Sequence, residues 1–193
     1  GYDKINHAYV YGGPGLSVQV ASDLLKVPVD GYVTIDLEVF KRAVDALGGV
    51  PINVEQRMYY KDPEQDLVID LQSGQQRLSG DKAMQYVRYR ADGLGDLGRV
   101  ERQQKFLKAL AKEAMSPKNI LRLPVVAKEV FSSVESDMSL PELLKALTAA
   151  IKTYGNGING TALPGRADYI DEISYYIPDQ SALEGLISEA LNN

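Results

Sequence analysis

Apolar spacing along the first third of the chain switches between a helical and a strand period. Residues 16–27 (LSVQVASDLLKV) carry apolar side chains three and four apart and predict a helix, entered through the turn GGPG at 12–15. Residues 31–35 (GYVTI) are β-branched and aromatic and predict a strand. Asp36 then stands at an N-cap position before LEVFKRAVDAL, a helix that Gly48 and Gly49 end. PINVEQ (51–56) predicts the next strand. Helix, strand, helix, strand is the alternation of an α/β layered fold.

A hairpin or loop follows, with DLVIDLQ (66–72) as a strand. Ser79 caps a helix that runs to about Arg88. Residues 96–115 predict a long helix and 117–131 another. A helix over 139–153 has Ser139 as its cap and Pro141 in its first turn. TALPG (161–165) and EISYYI (172–177) predict two late strands, and SALEGLISEAL (181–191) a closing helix. There is no internal repeat and no low-complexity linker, so the chain reads as one domain over 1–193.

The long helix has an anomaly. At 100° per residue with Arg99 at the origin, Phe106 falls at about 340°, Leu110 at about 20°, Ala114 at about 60°, Leu107 at about 80°, Val100 at about 100° and Ala111 at about 120°. Lys105, Lys108, Lys112 and Glu101 occupy the opposite face, between about 180° and 240°. Arg99 and Gln103 therefore stand inside the apolar stripe, at its N-terminal end. A buried arginine requires an anion, from the protein or from a ligand.

Composition sharpens this point. The 193 residues are 45% hydrophobic and 24% charged, with a net charge of −5. Arg88, Arg90, Arg99 and Arg102 nevertheless crowd into RYRADGLGDLGRVERQQKF (88–106). A duplex DNA binder shows a broad basic face, which this acidic chain does not suggest. One compact arginine cluster points to a compact anion such as phosphate or pyrophosphate. Gly93, Gly95 and Gly98 allow close backbone approach, and the start of the following helix offers free N–H groups. The alternative is an internal salt-bridge network in which Asp92, Asp96 and Glu101 pair with the arginines and pin the loop.

Other chemistry is thinner. The absence of Cys excludes disulfides, thiolate metal sites and a cysteine nucleophile, and a single His7 excludes a multi-histidine zinc site. No run of 18 apolar residues occurs and no signal peptide is recognisable. GGPG lacks the Lys-Ser/Thr ending of a phosphate loop and reads as a turn. His7 reads as a packed or hydrogen-bonded residue rather than a base. Asp62, Glu64 and Asp66 lack calcium-loop spacing and read as a solvated turn. Tyr9, Tyr11, Tyr59, Tyr60, Tyr86 and Tyr89 are candidates to line a groove, with core and rim packing the reading for most of them. Leu107, Leu110, Val125, Val126, Val130, Phe131, Leu143, Leu144 and Leu147 read as core by periodicity.

The arginine stretch also carries a resemblance. RYR, a glycine-containing loop and GD-x-GR-x-x-RQQ-x-F together resemble the LytR–CpsA–Psr (LCP) family. KINHAYVYGGP (4–14), VDALGGVPINV (44–54), LQSGQQRLSGDKAMQYVRYR (71–90), LPG (163–165) and SYYIPD (174–179) agree with it in order. The resemblance implies an α/β fold, a central mixed sheet flanked by helices, with an apolar tunnel for a lipid tail and arginines at its mouth. It implies an enzyme that transfers glycopolymers such as wall teichoic acid or capsule from a polyprenyl (pyro)phosphate carrier to peptidoglycan, as a phosphodiester, assisted by magnesium (Mg2+). The implied setting is the extracytoplasmic face of the membrane of a Gram-positive bacterium, reached through an N-terminal membrane anchor, with no nucleic acid partner.

By the same resemblance, Arg88, Arg90, Arg99 and Gln103 fall on phosphate-binding positions, with Arg102 at the edge of the stripe and Lys4 and Asn6 in the KIN segment as further ligands. Asp96 falls on the acidic residue of the motif, orienting Arg99 or another arginine; Asp96 and Arg99 are the catalytic candidates. The family's magnesium ligands and further arginines precede the KIN stretch, and no residue of this chain occupies those positions. The expectation is therefore an N-terminally shortened domain that displays its arginines yet transfers poorly. The alternatives are a polyprenyl-phosphate-binding module without turnover, and a regulator or transcriptional attenuator, as family members were first labelled.

Overall fold

A computed structural model describes residues 3–64, 67–91, 95–121, 131, 133–155 and 163–192. The helices are α1 (His7–Leu25), α2 (Leu37–Ala46), α3 (Gly80–Arg88), α4 (Gly95–Ala114), α5 (Pro117–Ile120), α6 (Leu140–Gly155) and α7 (Gln180–Asn192). The strands are β1 (Val33–Thr34), β2 (Val50–Val54), β3 (Met58–Asp62), β4 (Leu67–Leu71), β5 (Gly74–Leu78), β6 (Glu135–Ser136), β7 (Gly165–Ile170) and β8 (Ile173–Pro178). By internal contacts the chain divides into two compact units, one of Gly1–Thr34 with Thr161–Asn193 and one of Ile35–Gly160.

The larger unit is helices packed on an antiparallel ribbon. β2 pairs with β5 from Val50↔Leu78 to Val54↔Gly74. β3 pairs with β4 from Met58↔Leu71 to Asp62↔Leu67. Between the two ladders, residues 55–57 face only 72–73, so the ribbon carries one extra residue on its first side, as at a β-bulge. Arg57 occupies this break. Its Nη1 donates to Met58 O (2.9 Å) and Leu71 O (3.0 Å), and its Nη2 pairs with Asp70 at 2.6 Å. β5 (GQQRL) was not expected from sequence: its apolar content is Leu78 alone, and its strand state comes from pairing with β2.

The inward face of β2 alternates as its period requires, with Val50, Ile52 and Val54 buried. With Val44, Met58, Ile69, Leu71, Leu78, Tyr86 and Phe106 they form the core. Asp36 caps α2 by accepting from Val39 N at 2.6 Å, and Ser79 caps α3 by accepting from Lys82 N at 3.5 Å. Gly49 has φ +82, and a Cβ there would lie 2.7 Å from Leu78 O, so the second glycine of GGV serves both the turn and the close approach of β5. Asn119, fully buried, donates to Leu47 O and Glu113 O and so closes the ends of α2 and α4.

α2 and α3 meet backbone to backbone at Gly80, where a Cβ would lie 2.4 Å from Lys41 O and 2.7 Å from Lys41 Cα. Gly80→Ala is expected to lower stability by about 1–3 kcal/mol through overpacking. A denaturant titration checks this, with the midpoint falling and the slope unchanged.

The smaller unit contains α1, α7 and the β7–β8 hairpin. β7 pairs with β8 from Gly165↔Pro178 to Ile170↔Ile173. Its two-residue loop, Asp171 and Glu172, has both φ values positive (50 and 66), the twist-matched hairpin turn built without glycine. The strand expected at 161–165 thus begins only at Gly165; residues 161 and 162 lie outside the described residues. α1 begins at His7 rather than at residue 16, and GGPG kinks it instead of opening it: Gly12 and Gly13 are non-helical and Pro14 starts the second segment. Before the kink, Tyr9, Val10 and Tyr11 are all exposed, so no apolar stripe marked that helix. His7 lies 2.5 Å from Asp3 Oδ1 and edge-on to Tyr11, a hydrogen-bonded residue as expected. Of the helix expected over 117–131, α5 covers Pro117–Ile120 and residues 122–130 lie outside the described residues.

Candidate active site

α3 ends at Arg88, and Tyr89 leaves it in an extended conformation (φ −61, ψ 132). Extended backbone sends successive side chains to opposite sides. Tyr89 goes into the core, 5% exposed, and Arg88 and Arg90 on either side of it line a cavity of about 460 Å³. Arg99 and Gln103 line the same cavity from α4, four residues apart and so on one helical face. The β-hairpin contributes Tyr60, Asp62 and Leu67, and Val87 and Ala91 complete the wall. Three guanidinium groups against one carboxylate make the described lining positive.

Arg102 has a different place. It is 6% exposed, its Nη2 donates to Tyr89 O at 2.6 Å, and its guanidinium lies 5.3 Å from the centre of the Tyr89 ring. It is not among the residues lining the cavity. α4 thus grips the end of α3 twice, at Tyr89 and at Val87, since Gln103 Nε2 also donates to Val87 O at 3.4 Å. Both bonds satisfy carbonyls that the end of α3 leaves without helical partners. The helical wheel put Arg102 at the edge of the stripe and Leu107 inside it. In the fold Arg102 and Phe106 are buried and Leu107 is exposed. One stripe does not describe a twenty-residue helix that packs against α3, β2 and α6 at once. Leu144 on α6 is likewise exposed rather than core, whereas Leu143 is buried.

A third connection ties the two arginine-bearing segments together. Tyr86 is fully buried and its hydroxyl donates to Glu55 Oε1 at 2.9 Å. Lys105 on α4 pairs with Glu55 and donates to Asn53 O at 2.6 Å. Burial and the bond to Glu55 push the Tyr86 pKa well up, so its proton stays in place. For Glu55, burial acts upward, but the bonds from Lys105, its own backbone N–H and Tyr86 outweigh it and hold the carboxyl below 4.5. A carboxylate with a depressed folded pKa stabilises the fold above its unfolded value and ceases to do so as pH falls through the folded one. Acidification below about 4.5 is therefore expected to weaken the parent chain more than Glu55→Gln, which lacks this component. Thermal unfolding of the two across pH 3 to 6, or roughly that window, checks it.

Asp96 lies in the first turn of α4, and its side chain is outside the described residues, as is all of Asp92. Lys4 and Asn6 are exposed in the smaller unit, where Lys4 Nζ lies 5.8 Å from the centre of the Tyr175 ring.

The LytR–CpsA–Psr family model matches residues 1–192. The chain belongs to the LytR–CpsA–Psr family. Within the family it is 31% identical over 196 residues to a polyisoprenyl-teichoic acid–peptidoglycan teichoic acid transferase TagU of Oceanobacillus iheyensis, covering 98% of this chain and 59% of that protein. Its fold is similar to that of Bacillus subtilis TagV, with a TM-score of 0.76, 27% identity, and 98% of this chain and 74% of the other covered. It is also similar to TagT bound to LIIa-WTA, with a TM-score of 0.74, 26% identity, and 100% and 72% covered. The chain spans about three-fifths of the TagU relative's length.

The three lining residues that the hairpin contributes were not singled out as site residues in the sequence. Asp62 was read as part of a solvated turn, Tyr60 as groove lining or packing, and Leu67 as strand. Their common signal is the period-2 register of a hairpin whose pairing the sequence leaves open. Among the described residues, no group of three or more His, Cys, Asp or Glu side chains could hold a metal ion, and no helix is long and apolar enough to cross a membrane.

Proposed function

We propose that the protein containing this chain transfers a glycopolymer from a polyprenyl (pyro)phosphate carrier to peptidoglycan, forming a phosphodiester. The observation that carries the reading is the convergence of Arg88, Arg90, Arg99 and Gln103 on one cavity. The transferase activity for which the TagU relative is named and the LIIa-WTA bound to TagT support it.

Phosphoryl transfer requires positioning and charge stabilisation more than a protein nucleophile. The three guanidinium groups bind the pyrophosphate through charge-assisted bonds and stabilise the charge that develops on the departing phosphate. Lys4 and Asn6 belong to the proposal by family resemblance. By the same resemblance, Asp96, three residues before Arg99 in the sequence, orients Arg99 or another arginine. Arg102 acts through Tyr89, by holding Arg88 and Arg90 in register.

Magnesium is implied by the resemblance. The described cavity offers one carboxylate, Asp62, where a magnesium site uses one or two carboxylates together with substrate phosphates. Asp62 alone, among three guanidinium groups that compete for the phosphate oxygens, does not complete such a site. A membrane anchor, an extracytoplasmic location in a Gram-positive bacterium, and capsule as another cargo belong to the same proposal. A nucleic-acid regulator is not favoured by a chain of net charge −5.

The test is binding of a polyprenyl pyrophosphate to the purified chain, followed by transfer to peptidoglycan with the full-length protein. Binding with inorganic phosphate as competitor supports the site. No binding by the chain and no transfer by the full-length protein overturns the reading.

A further inference from the structure

The arginine cavity contains a residue unsuited to a phosphate. On β3 and β4 the face that carries Met58, Ile69 and Leu71 into the core continues outward as Tyr60, Asp62 and Leu67, with Tyr60 opposite Ile69 and Asp62 opposite Leu67. The strand period therefore brings Tyr60 and Asp62 to the cavity wall, while Tyr59, Lys61, Val68 and Asp70 are exposed on the other face. Asp62 is held in place there. Glu64 N donates to its Oδ1 at 3.0 Å, and the Tyr60 hydroxyl makes a long contact with its Oδ2 at 3.5 Å.

An ionised carboxylate accepts hydrogen bonds and donates none. It repels the phosphate that the arginines attract, and any substrate group it binds beside its protein partners must be a donor. A transfer reaction at this cavity has two substrates. One is the anion and the other is an alcohol, whose O–H must lose its proton as it attacks phosphorus. Tyr60 is 40% exposed and offers a hydroxyl and an apolar ring edge to a sugar.

We propose that Asp62 and Tyr60 form the acceptor subsite, which takes a sugar hydroxyl of peptidoglycan, with Asp62 as the catalytic base. This rests on the function proposed above. The acceptor O–H proton passes to the Asp62 carboxylate as its oxygen forms a bond to the phosphorus that bears the glycopolymer. The bond from that phosphorus to the bridging oxygen breaks, and its electron pair leaves with polyprenyl monophosphate, held by the arginines. Asp62 then gives the proton to water. No oxidant, reductant or further reactant is required.

The test separates the two halves of the cavity. In the full-length protein, Asp62→Asn is expected to keep or raise affinity for polyprenyl pyrophosphate and to lose transfer by about a hundredfold to ten-thousandfold. Asp62→Glu recovers part of the transfer, and Tyr60→Phe raises the acceptor KM more than it lowers kcat. A second measurement needs no turnover: NMR titration of the chain with a GlcNAc–MurNAc tetrasaccharide in the presence of pyrophosphate. The parent is expected to shift signals of Tyr60 and Asp62, and Asp62→Asn to lose the shifts.

Transfer by Asp62→Asn equal to the parent's overturns the proposal. So does a loss of lipid affinity in that variant, which would make Asp62 an organiser of the arginines. So does a parent chain whose Tyr60 and Asp62 signals ignore the tetrasaccharide. Failure of the parent to bind the lipid is a different result and counts against the arginine reading alone, because the sugar titration is read separately.

Discussion

Arg99→Ala lowers affinity for a polyprenyl pyrophosphate by about tenfold to a hundredfold and leaves the unfolding midpoint near that of the parent. The size follows from the loss of one charge-assisted contact, worth roughly 1.5–3 kcal/mol, at about 1.4 kcal/mol per tenfold. Arg99 lines the cavity from the first turns of α4, outside the fully buried core. Its removal therefore takes a ligand group away without opening a core void. The measurement is lipid binding by native mass spectrometry beside thermal unfolding. Unfolding of Arg99→Ala would instead show that the cluster is an internal salt-bridge network, the alternative that the sequence left open.

Arg102→Met reverses the order of effects. The variant is expected to lose roughly 2–4 kcal/mol of stability, because Tyr89 O loses a buried charged donor and the ring loses its cation. Lipid affinity falls as a consequence, since Arg88 and Arg90 flank the loosened residue. Arg102→Lys does not restore the parent, because an ammonium lacks the planar fork that both stacks and donates. Denaturant unfolding and lipid binding on the same two variants check this. If affinity fell with stability unchanged, Arg102 would be a phosphate ligand after all, as the family resemblance implies.

Those two arginines stand three residues apart in one motif, and this shows where sequence reading stops. The wheel treated α4 as a cylinder with a single buried stripe, which put Arg99 inside and Arg102 at the edge. The helix in fact has neighbours in α3, β2 and α6, and the buried direction changes along it. Arg102 finds a carbonyl and an aromatic ring at Tyr89, thirteen residues away. Tyr86 and Glu55 are thirty-one residues apart, and no local spacing announces their bond.

What the sequence determined alone is what short-range physics decides. The caps at Asp36 and Ser79, the glycine stop at 48–49, the length of α4 and the crowding of Arg88, Arg90, Arg99 and Arg102 all depend on residues within a few positions of one another. Motif order along the chain was enough to indicate the family. Only the tertiary structure decided which arginines line the cavity and which one braces it. Only pairing made a strand of GQQRL, and only the register of β3 on β4 carried Tyr60 and Asp62 to the arginines. A one-residue shift of that register would turn both side chains to the opposite face, and the partner strand that sets it lies beyond the reach of any local pattern.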